Sequence, residues 1–408
     1  MKLLFLNPIG NIGGAERVLL TAIAGVKREL PTATIRVLAL SDGPLLPAVR
    51  ELGAEAEVFP LPNGLGEMGD SHSQSRRWLL ALRSVSHVAA FWSFVARLRR
   101  AITTFGPDLV HSNGIKTHLL SRAAVPAGVP VVWHAHDFYG SRPLAGWLLR
   151  RARSRVRAIV AISNSIAADV RVTLPGIAVI VVPNCVDLAH FSPALGDGAE
   201  LDCRAGLSPA PPGLIRVGLV ATYARWKGQL VVLNAAARLM AESPELPIRW
   251  YIVGGPIYHT AAQFTQAELR REAESRGLVG RVGFIPFAAD TAAIYRALDV
   301  VIHASTQPEP FGLTVAEAMA CGRATVVSAS GGAAELFTDG HDARGFTPGN
   351  AEQLAGVVRK LVLGPEMRSR LGKAARCTAE VRFDANQYGG RLCQVYRNVL
   401  SCNARRYP

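Results

Sequence analysis

Short runs of β-branched and aliphatic residues, separated by longer amphipathic stretches, recur along this chain and constrain its fold more than any other feature. Such alternation marks strands buried on both faces of a parallel sheet, each returned by a helix. A first series predicts strands at 3–6, 35–39, 109–112, 131–134, 158–162 and 179–182, and a second at 216–221, 250–253, 282–285, 300–304 and 324–328. Between them, "FSPALGDGAELDCRAGLSPAPPG" (191–213) is rich in Pro, Gly and Ala and has little periodicity, as a connection between domains does. The expected fold class is α/β, with two doubly wound, Rossmann-like domains, residues 1–190 and 191–386, facing a central cleft. Open sheets of this kind bind ligands outside the carboxyl ends of their strands, so functional motifs are expected just after strands.

Composition narrows the function classes. A chain of 408 residues, 49% hydrophobic, can build two or three real cores. Its formal charge of +14 favours anionic partners. Nucleic acid is disfavoured among them, because the positive charge is not concentrated in a compact domain and no nucleic-acid-binding fingerprint occurs. Cys185, Cys203, Cys321, Cys377, Cys393 and Cys402 form no CxxC pair, which predicts reduced, mostly core thiols in a cytosolic protein. "MKLLFLNPIG" meets Pro8 and Gly10 too early for a signal peptide and reads as a first buried strand. No apolar run approaches the roughly 18–20 residues of a bilayer span.

Motifs do follow the strands. "NPIGNIGGAER" (7–17) places glycines before a helix predicted to start near Ala15, where backbone amides can hold a phosphate or an acceptor oxygen; glycine-rich turns also serve as plain strand-to-helix connections. "WHAHDF" sets His134, His136 and Asp137 at a strand end, as ligand donors or as structural ones. "YARWKGQ" (223–229) offers Arg225 and Lys227 as two cations able to bracket a diphosphate, or as a solvated basic turn. In "PEPFGLTVAEAMACG" (308–322), a helix predicted at 314–320 and closed by Gly322 follows Glu309, which lies between two prolines. Thr314 and Glu317 have capping-box spacing, so Glu317 serves the helix, a ligand, or both. Two carboxylates around a helix N-terminus suit a ligand with hydroxyls at its ends and phosphate in the middle, such as a nucleotide sugar.

"PEPFGLTVAEAMACG", "GGAAEL" (331–336), "VVPNCVDLAHF" (181–191) and "GGAER" (13–17) together resemble the retaining glycosyltransferases of family 4, which have the GT-B architecture, and the resemblance runs over nearly the whole chain. It implies a hexosyltransferase that uses a nucleotide-diphosphate sugar, with Glu309 at the donor sugar and Glu317 at the ribose. Amides of Phe311, Gly312, Leu313 and Thr314 would face the sugar and diphosphate, as would Gly13 and Gly14, and His136 would contact the transferred sugar. His136, Glu309 and Lys227 are thus the expected catalytic residues. Where the family usually has Gly-Arg, this chain has Ala221-Thr222, so Arg225 becomes the candidate replacement guanidinium beside Lys227. The resemblance favours a front-face route with retention; double displacement through Glu309 is the chemical alternative. A GT-B epimerase and a non-catalytic membrane-associated scaffold are the competing classes. No D-x-D triplet occurs, which predicts no metal and no other cofactor.

The expected acceptor is a saccharide or a lipid-linked molecule in bacterial cell-surface polysaccharide or glycolipid synthesis. Residues 71–100 carry Arg76, Arg77, Arg83, Arg97, Arg99 and Arg100 beside Trp78, Phe91, Trp92 and Phe94, and 141–160 holds six more arginines and no acid. Such segments either lie on anionic lipid or pack the first domain with solvated arginines, and a cytoplasmic protein peripheral to the inner membrane face is expected. Residues 387–408 predict a helix with Tyr388, Leu392, Val395, Tyr396 and Val399 on one face, which the resemblance sends back to the first domain.

Overall fold

The computed structural model describes residues 1–62, 85–257, 260–288 and 290–404. The chain divides into two compact units, Met1–Asn184 with Ala385–Pro408, and Cys185–Asp384. The first unit contains β1 (Lys2–Asn7), α1 (Gly14–Glu29), β2 (Thr34–Ala39), α2 (Leu45–Glu51), β3 (Glu55–Val58) and α3 (Val85–Phe105). It continues through β4 (Leu109–Ser112), α4 (Ile115–Ala124), β5 (Val131–Ala135), α5 (Pro143–Ala152), β6 (Val156–Ala161), α6 (Asn164–Thr173) and β7 (Ala178–Val181). Its sheet is parallel in the order β3-β2-β1-β4-β5-β6-β7, with Leu3 of β1 opposite both Ile35 of β2 and Leu109 of β4. Leu3–Leu6 are at most 1% exposed. Each such side chain contributes roughly 1.5–3 kcal/mol by leaving water, which fixes β1 at the centre.

The second unit runs α7 (Gly198–Arg204), β8 (Ile215–Val220), α8 (Gln229–Glu242), β9 (Ile248–Val253), α9 (Gln266–Glu274), β10 (Val282–Ile285) and α10 (Thr291–Ala297). Then follow β11 (Val300–His303), α11 (Leu313–Ala320), β12 (Ala324–Ser328), β13 (Arg344–Phe346), α12 (Ala351–Leu363) and α13 (Pro365–Arg382). Its parallel sheet has the order β10-β9-β8-β11-β12-β13. Relative to its own first strand this repeats the order of the first sheet. In each, the winding reverses direction between the first and fourth strands, β1/β4 and β8/β11, and the loops that diverge there open a crevice at the carboxyl edge.

Three expectations are corrected. The division between units falls at Asn184/Cys185, not near residue 190, and the Pro/Gly-rich stretch 191–213, read as a connection between domains, lies wholly inside the second unit and contains α7. There Asp197 caps the helix by accepting from the Glu200 amide (2.8 Å), and the buried Asp202 receives Arg216 (2.8 Å) and Arg249 (2.9 Å). Edge strands β3 and β13 were not expected. Finally, the cysteines are not mostly core: all six are free, but Cys203, Cys377 and Cys402 are exposed.

The final helix, α14 (Ala385–Ala404), packs in the first unit against α1. Tyr388, Leu392, Val395, Tyr396 and Val399 are all buried. The two helices cross at Gly25 and Gly389, where a Cβ on Gly389 would lie 2.3 Å from the Gly25 carbonyl carbon. Arg28 clamps the helix start through the Asn386 side chain (2.8 Å) and carbonyl (2.9 Å). A neighbouring pair of substitutions separates this contact from helix propensity. Gly389→Ala should lower stability by about 1–3 kcal/mol through overpacking, whereas Gly390→Ala, whose nearest new contact is 3.6 Å away, should raise it by up to about 1 kcal/mol. Urea unfolding of both variants checks this.

Candidate functional site

Each unit carries a polar cluster at the reversal point of its sheet. In the second unit the cluster is built from the loops after β8 and β11. Arg225–Lys227 form a single 3₁₀ turn, and Lys227 Nζ donates to both oxygens of Glu309, at 2.9 and 2.7 Å. Ser305 Oγ donates to Glu309 Oε2 at 2.7 Å, and His303 Nε2 lies 3.2 Å from the same oxygen. The Glu309 side chain is 10% exposed and that of Lys227 19%. Burial alone would push the Glu309 carboxyl up, but the Lys227 ammonium and the bonds from His303 outweigh it and hold the carboxyl far below the usual carboxylate range.

The Glu309 backbone is fixed as firmly as its side chain. Gly332 N–H donates to the Glu309 carbonyl (2.6 Å), and a Cβ on Gly331, whose φ is +65°, would sit 2.5 Å from that carbonyl oxygen. Only glycine permits both the left-handed backbone and the approach. The "GGAAEL" segment therefore serves to seat Glu309.

Beyond Glu309, α11 begins at Leu313, with Gly312 as N-cap in the left-handed region (φ +100°). This corrects the capping-box reading. Thr314 is already the second helical residue, so it is not at the cap and Glu317 is not three residues from one; no side chain caps α11. Glu317 is half-buried and accepts from the buried Tyr295 hydroxyl at 2.8 Å. Glycine in place of a Ser or Thr cap leaves the first-turn amides of α11 without a side-chain acceptor, at the positive end of the helix dipole. Phe311 is buried against Phe383, with ring centroids 6.0 Å apart.

Arg225 does not join Lys227. Its guanidinium donates to the Ala261 carbonyl (2.8 Å), pairs with Glu268 (3.4 Å) and stacks over Phe264 (4.1 Å). Glu268 is itself half of the capping box of α9, with Thr265.

In the first unit, Gly13 is the N-cap of α1 and Gly14 its first residue. The Gly13 amide donates to Glu16 Oε2 (3.1 Å). Glu16 is buried, which raises its carboxyl, and it also accepts from Asn7 (3.2 Å). Asn113, just after β4, donates to Asn7 (2.7 Å) and lies 2.8 Å from His136 Nε2. His136 is half-buried, and desolvation lowers it to about 4. Asp137 lies 3.8 Å from Arg142. His134, the other candidate in the motif, is fully internal and lies against His111 (3.2 Å), which meets the Tyr396 hydroxyl of α14 (2.9 Å).

Sequence reasoning thus missed Asn7, Glu16, Asn113, His303, Ser305 and Tyr295. The signal for Asn113 and for His303 and Ser305 was position alone: they end or follow β4 and β11, the fourth strands of their sheets. Among the described residues no three His, Cys, Asp or Glu side chains gather as metal ligands, and no helix is long and apolar enough to cross a membrane.

Burial pulls His111 down to about 3 and His118 and His134 well below the usual value. The unfolded chain regains these three groups near pH 6.5 while the folded chain does not, so it binds more protons and stability is lost as pH falls below about 6.5. Urea midpoints measured from pH 7.5 to 5 should fall, with each histidine adding up to ~1.4 kcal/mol per pH unit; a flat profile would contradict the neutral, buried assignment.

Residues 209–378 match the family model described as Glycosyl transferases group 1, and residues 12–190 that described as Glycosyltransferase Family 4. A D-inositol 3-phosphate glycosyltransferase of Actinosynnema mirum is 31% identical over 301 residues, 68% of this chain and 70% of that protein. One from Rhodococcus erythropolis is 32% identical over 54% of this chain and 48% of its own length, and about half is the share covered in most of these curated relatives. Among solved structures, Anabaena HepE in complex with UDP-glucose aligns with a TM-score of 0.79 at 24% identity, over 98% of this chain and 100% of that one. WaaG, a glycosyltransferase involved in lipopolysaccharide biosynthesis, aligns with a TM-score of 0.69 at 16% identity, over 97% and 99%.

Proposed function

The chain belongs to the family 4 glycosyltransferases and has the GT-B fold, and from that premise we propose that it transfers a hexosyl unit from a nucleotide-diphosphate sugar with retention of configuration. The observation that carries this reading is the second-unit cluster, in which Lys227 pairs with Glu309 in the loops at the reversal point of one sheet, the Glu309 loop leading directly into α11, the helix that carries Glu317. Lys227 and the first-turn amides of α11, from Gly312, Leu313 and Thr314, supply positive potential for the diphosphate as it leaves. Glu317, oriented by Tyr295, accepts from the ribose hydroxyls. This division of labour needs no bound metal. Arg225 assists only by giving up Glu268 and Phe264.

Glu309 accepts from Lys227 on both oxygens and from Ser305 on one, so most of its acceptor capacity is committed. Attack on the sugar by Glu309 would have to break these bonds, which favours the front-face route over double displacement. In the proposed mechanism, Glu309 sets Lys227 against the diphosphate and places negative charge near the developing oxocarbenium. A donor phosphate oxygen takes the acceptor proton as the new glycosidic bond forms and the sugar–phosphate bond breaks. In the first unit, Gly14 and His136 are proposed to serve the sugar, and Gly13 assists only by giving up Glu16, which takes its amide.

HepE was crystallised with UDP and UDP-glucose, and UDP is accordingly the nucleotide we propose here. The proposed acceptor is a saccharide or lipid-linked molecule of a bacterial cell surface, met at the inner membrane face. Leu144 and Trp147 stand exposed on α5 with Arg151 stacked on Trp147 (4.0 Å), and exposed Trp92 shares α3 with exposed Arg97, Arg99 and Arg100. Part of that basic charge is structural, since Arg150 is committed to the Thr173 carbonyl (2.7 Å). Arg76, Arg77, Trp78 and Arg83 lie outside the described residues. Turnover on acceptor presented in anionic and in neutral vesicles tests the membrane placement.

Calorimetric titration with UDP, GDP and ADP, with and without EDTA, tests the donor reading. UDP should bind equally well with EDTA, and Glu317→Ala should weaken it about tenfold to a hundredfold, as loss of hydrogen bonds to a charged group does. Binding of none of the three nucleotides would count against catalysis and for a scaffold.

A further inference from the structure

The first unit contains a directional chain of buried side chains that ends on His136. Its direction is set by a group that can only accept. Asn7 Nδ2 lies 2.6 Å from the Ile9 carbonyl and 3.2 Å from Glu16 Oε1. A backbone carbonyl has no proton to give, so the NH₂ end of Asn7 must face it, whatever the protonation of Glu16. Asn7 Oδ1 is therefore the end that meets Asn113, and Asn113 must turn its own NH₂ towards it, at 2.7 Å. That leaves Asn113 Oδ1 facing His136 Nε2 at 2.8 Å. An amide oxygen accepts only, so Nε2 must carry the proton.

The consequence falls on the other ring nitrogen. In a neutral imidazole with its proton on Nε2, Nδ1 is a lone pair, and Nδ1 bonds no other described residue. The ring is also held in place from one side by His134, whose centroid lies 4.1 Å away. Asn7 and Asn113 are 0% and 2% exposed, so water does not compete for these bonds and neither amide can turn over alone without leaving two buried acceptors, or two buried donors, facing each other.

We propose that Asn7 and Asn113 are positioning residues that fix His136 as the Nε2–H tautomer, so that Nδ1 is presented as a hydrogen-bond acceptor to a hydroxyl of the transferred sugar. The relay itself is a property of the first unit. Its use on the sugar rests on the proposed function. It predicts that His136 accepts from its ligand and donates nothing to it, unlike an imidazolium that would donate to a phosphate. Glu16 plays a separate part. By taking the Gly13 amide and the Asn7 NH₂ it ties the start of α1 to the relay, but the Ile9 carbonyl alone is enough to set the direction.

The test is long-range ¹H–¹⁵N correlation NMR of the full chain with ¹⁵N-histidine, without ligand at pH 7.5, His136 being assigned by the signal lost in His136→Gln. The expected result is a single neutral species with the proton on Nε2; an Nδ1–H tautomer, a mixture of the two, or an imidazolium would overturn the relay. Asn7→Leu, which touches His136 nowhere, should release Asn113 and give mixed tautomers, whereas Asn7→Asp, protonated on the oxygen that faces the Ile9 carbonyl and Glu16, keeps an accepting oxygen towards Asn113 and should retain Nε2–H. Because the wild-type spectrum decides the tautomer, the relay stays testable even where a variant fails to fold. In turnover assays Asn7→Leu should lower kcat about tenfold with donor KM nearly unchanged, and Asn7→Asp should lose less. Mixed tautomers with unchanged kcat would overturn the role towards the sugar while leaving the relay standing. Failure of nucleotide binding in calorimetry would instead strike the proposed function and leave the spectrum as it is.

Discussion

Parallel strands cannot be joined by tight turns, and each right-handed crossover forces a helix onto one face or the other of the sheet. That constraint decides where chemistry can occur in this chain. Both sheets grow outwards from their first strand in one direction and then, from the fourth, in the other. Between those two strands the loops part, and the helix N-termini beside them point their amides at the same edge. Asn7 and Asn113 end or follow β1 and β4; Lys227 and Glu309 follow β8 and β11. The two polar clusters are thus the same topological position used twice, with different side chains placed in it.

What distinguishes the second cluster is its charge. A carboxylate buried to one-tenth exposure would ordinarily be neutralised, yet Glu309 is kept ionised by a lysine on one loop and by a histidine and a serine on its own. Removing one partner of such a pair leaves an uncompensated charge, at a cost of about 3–5 kcal/mol. The arrangement therefore links position and electrostatics: Lys227 cannot leave Glu309 without penalty and is held where the proposed diphosphate would meet it. Its stability contribution is present above the unfolded glutamate pKa of about 4.3 and fades only as acid protonates Glu309 in the folded chain.

Much of this was legible in the sequence, for identifiable reasons. The inner strands were visible because burial on both faces demands uninterrupted Val, Ile and Leu, as in "KLLFLN" or "VVIH". The edge strands were not: "EAEV" carries an acid at every other position and "RGF" is three residues long with a glycine. Glu309 stood out because a carboxylate between two prolines serves no local structure. The capping-box reading of Thr314 and Glu317 failed because the spacing is met two residues inside the helix, and only the left-handed Gly312 reveals where α11 starts. His303, Ser305, Asn7 and Asn113 act through tertiary neighbours in other loops or strands, or through a carboxylate fixed by them, which no local pattern encodes.

The central claim is that Lys227 and Glu309 work as one unit in which the carboxylate sets the cation. A double-mutant cycle on turnover, with Lys227→Met, Glu309→Gln and the pair together, measures this directly. The account predicts that each single change lowers kcat strongly and that the double variant is no slower than the worse single one. Losses that multiply would mean that the two residues act independently, and would contradict it.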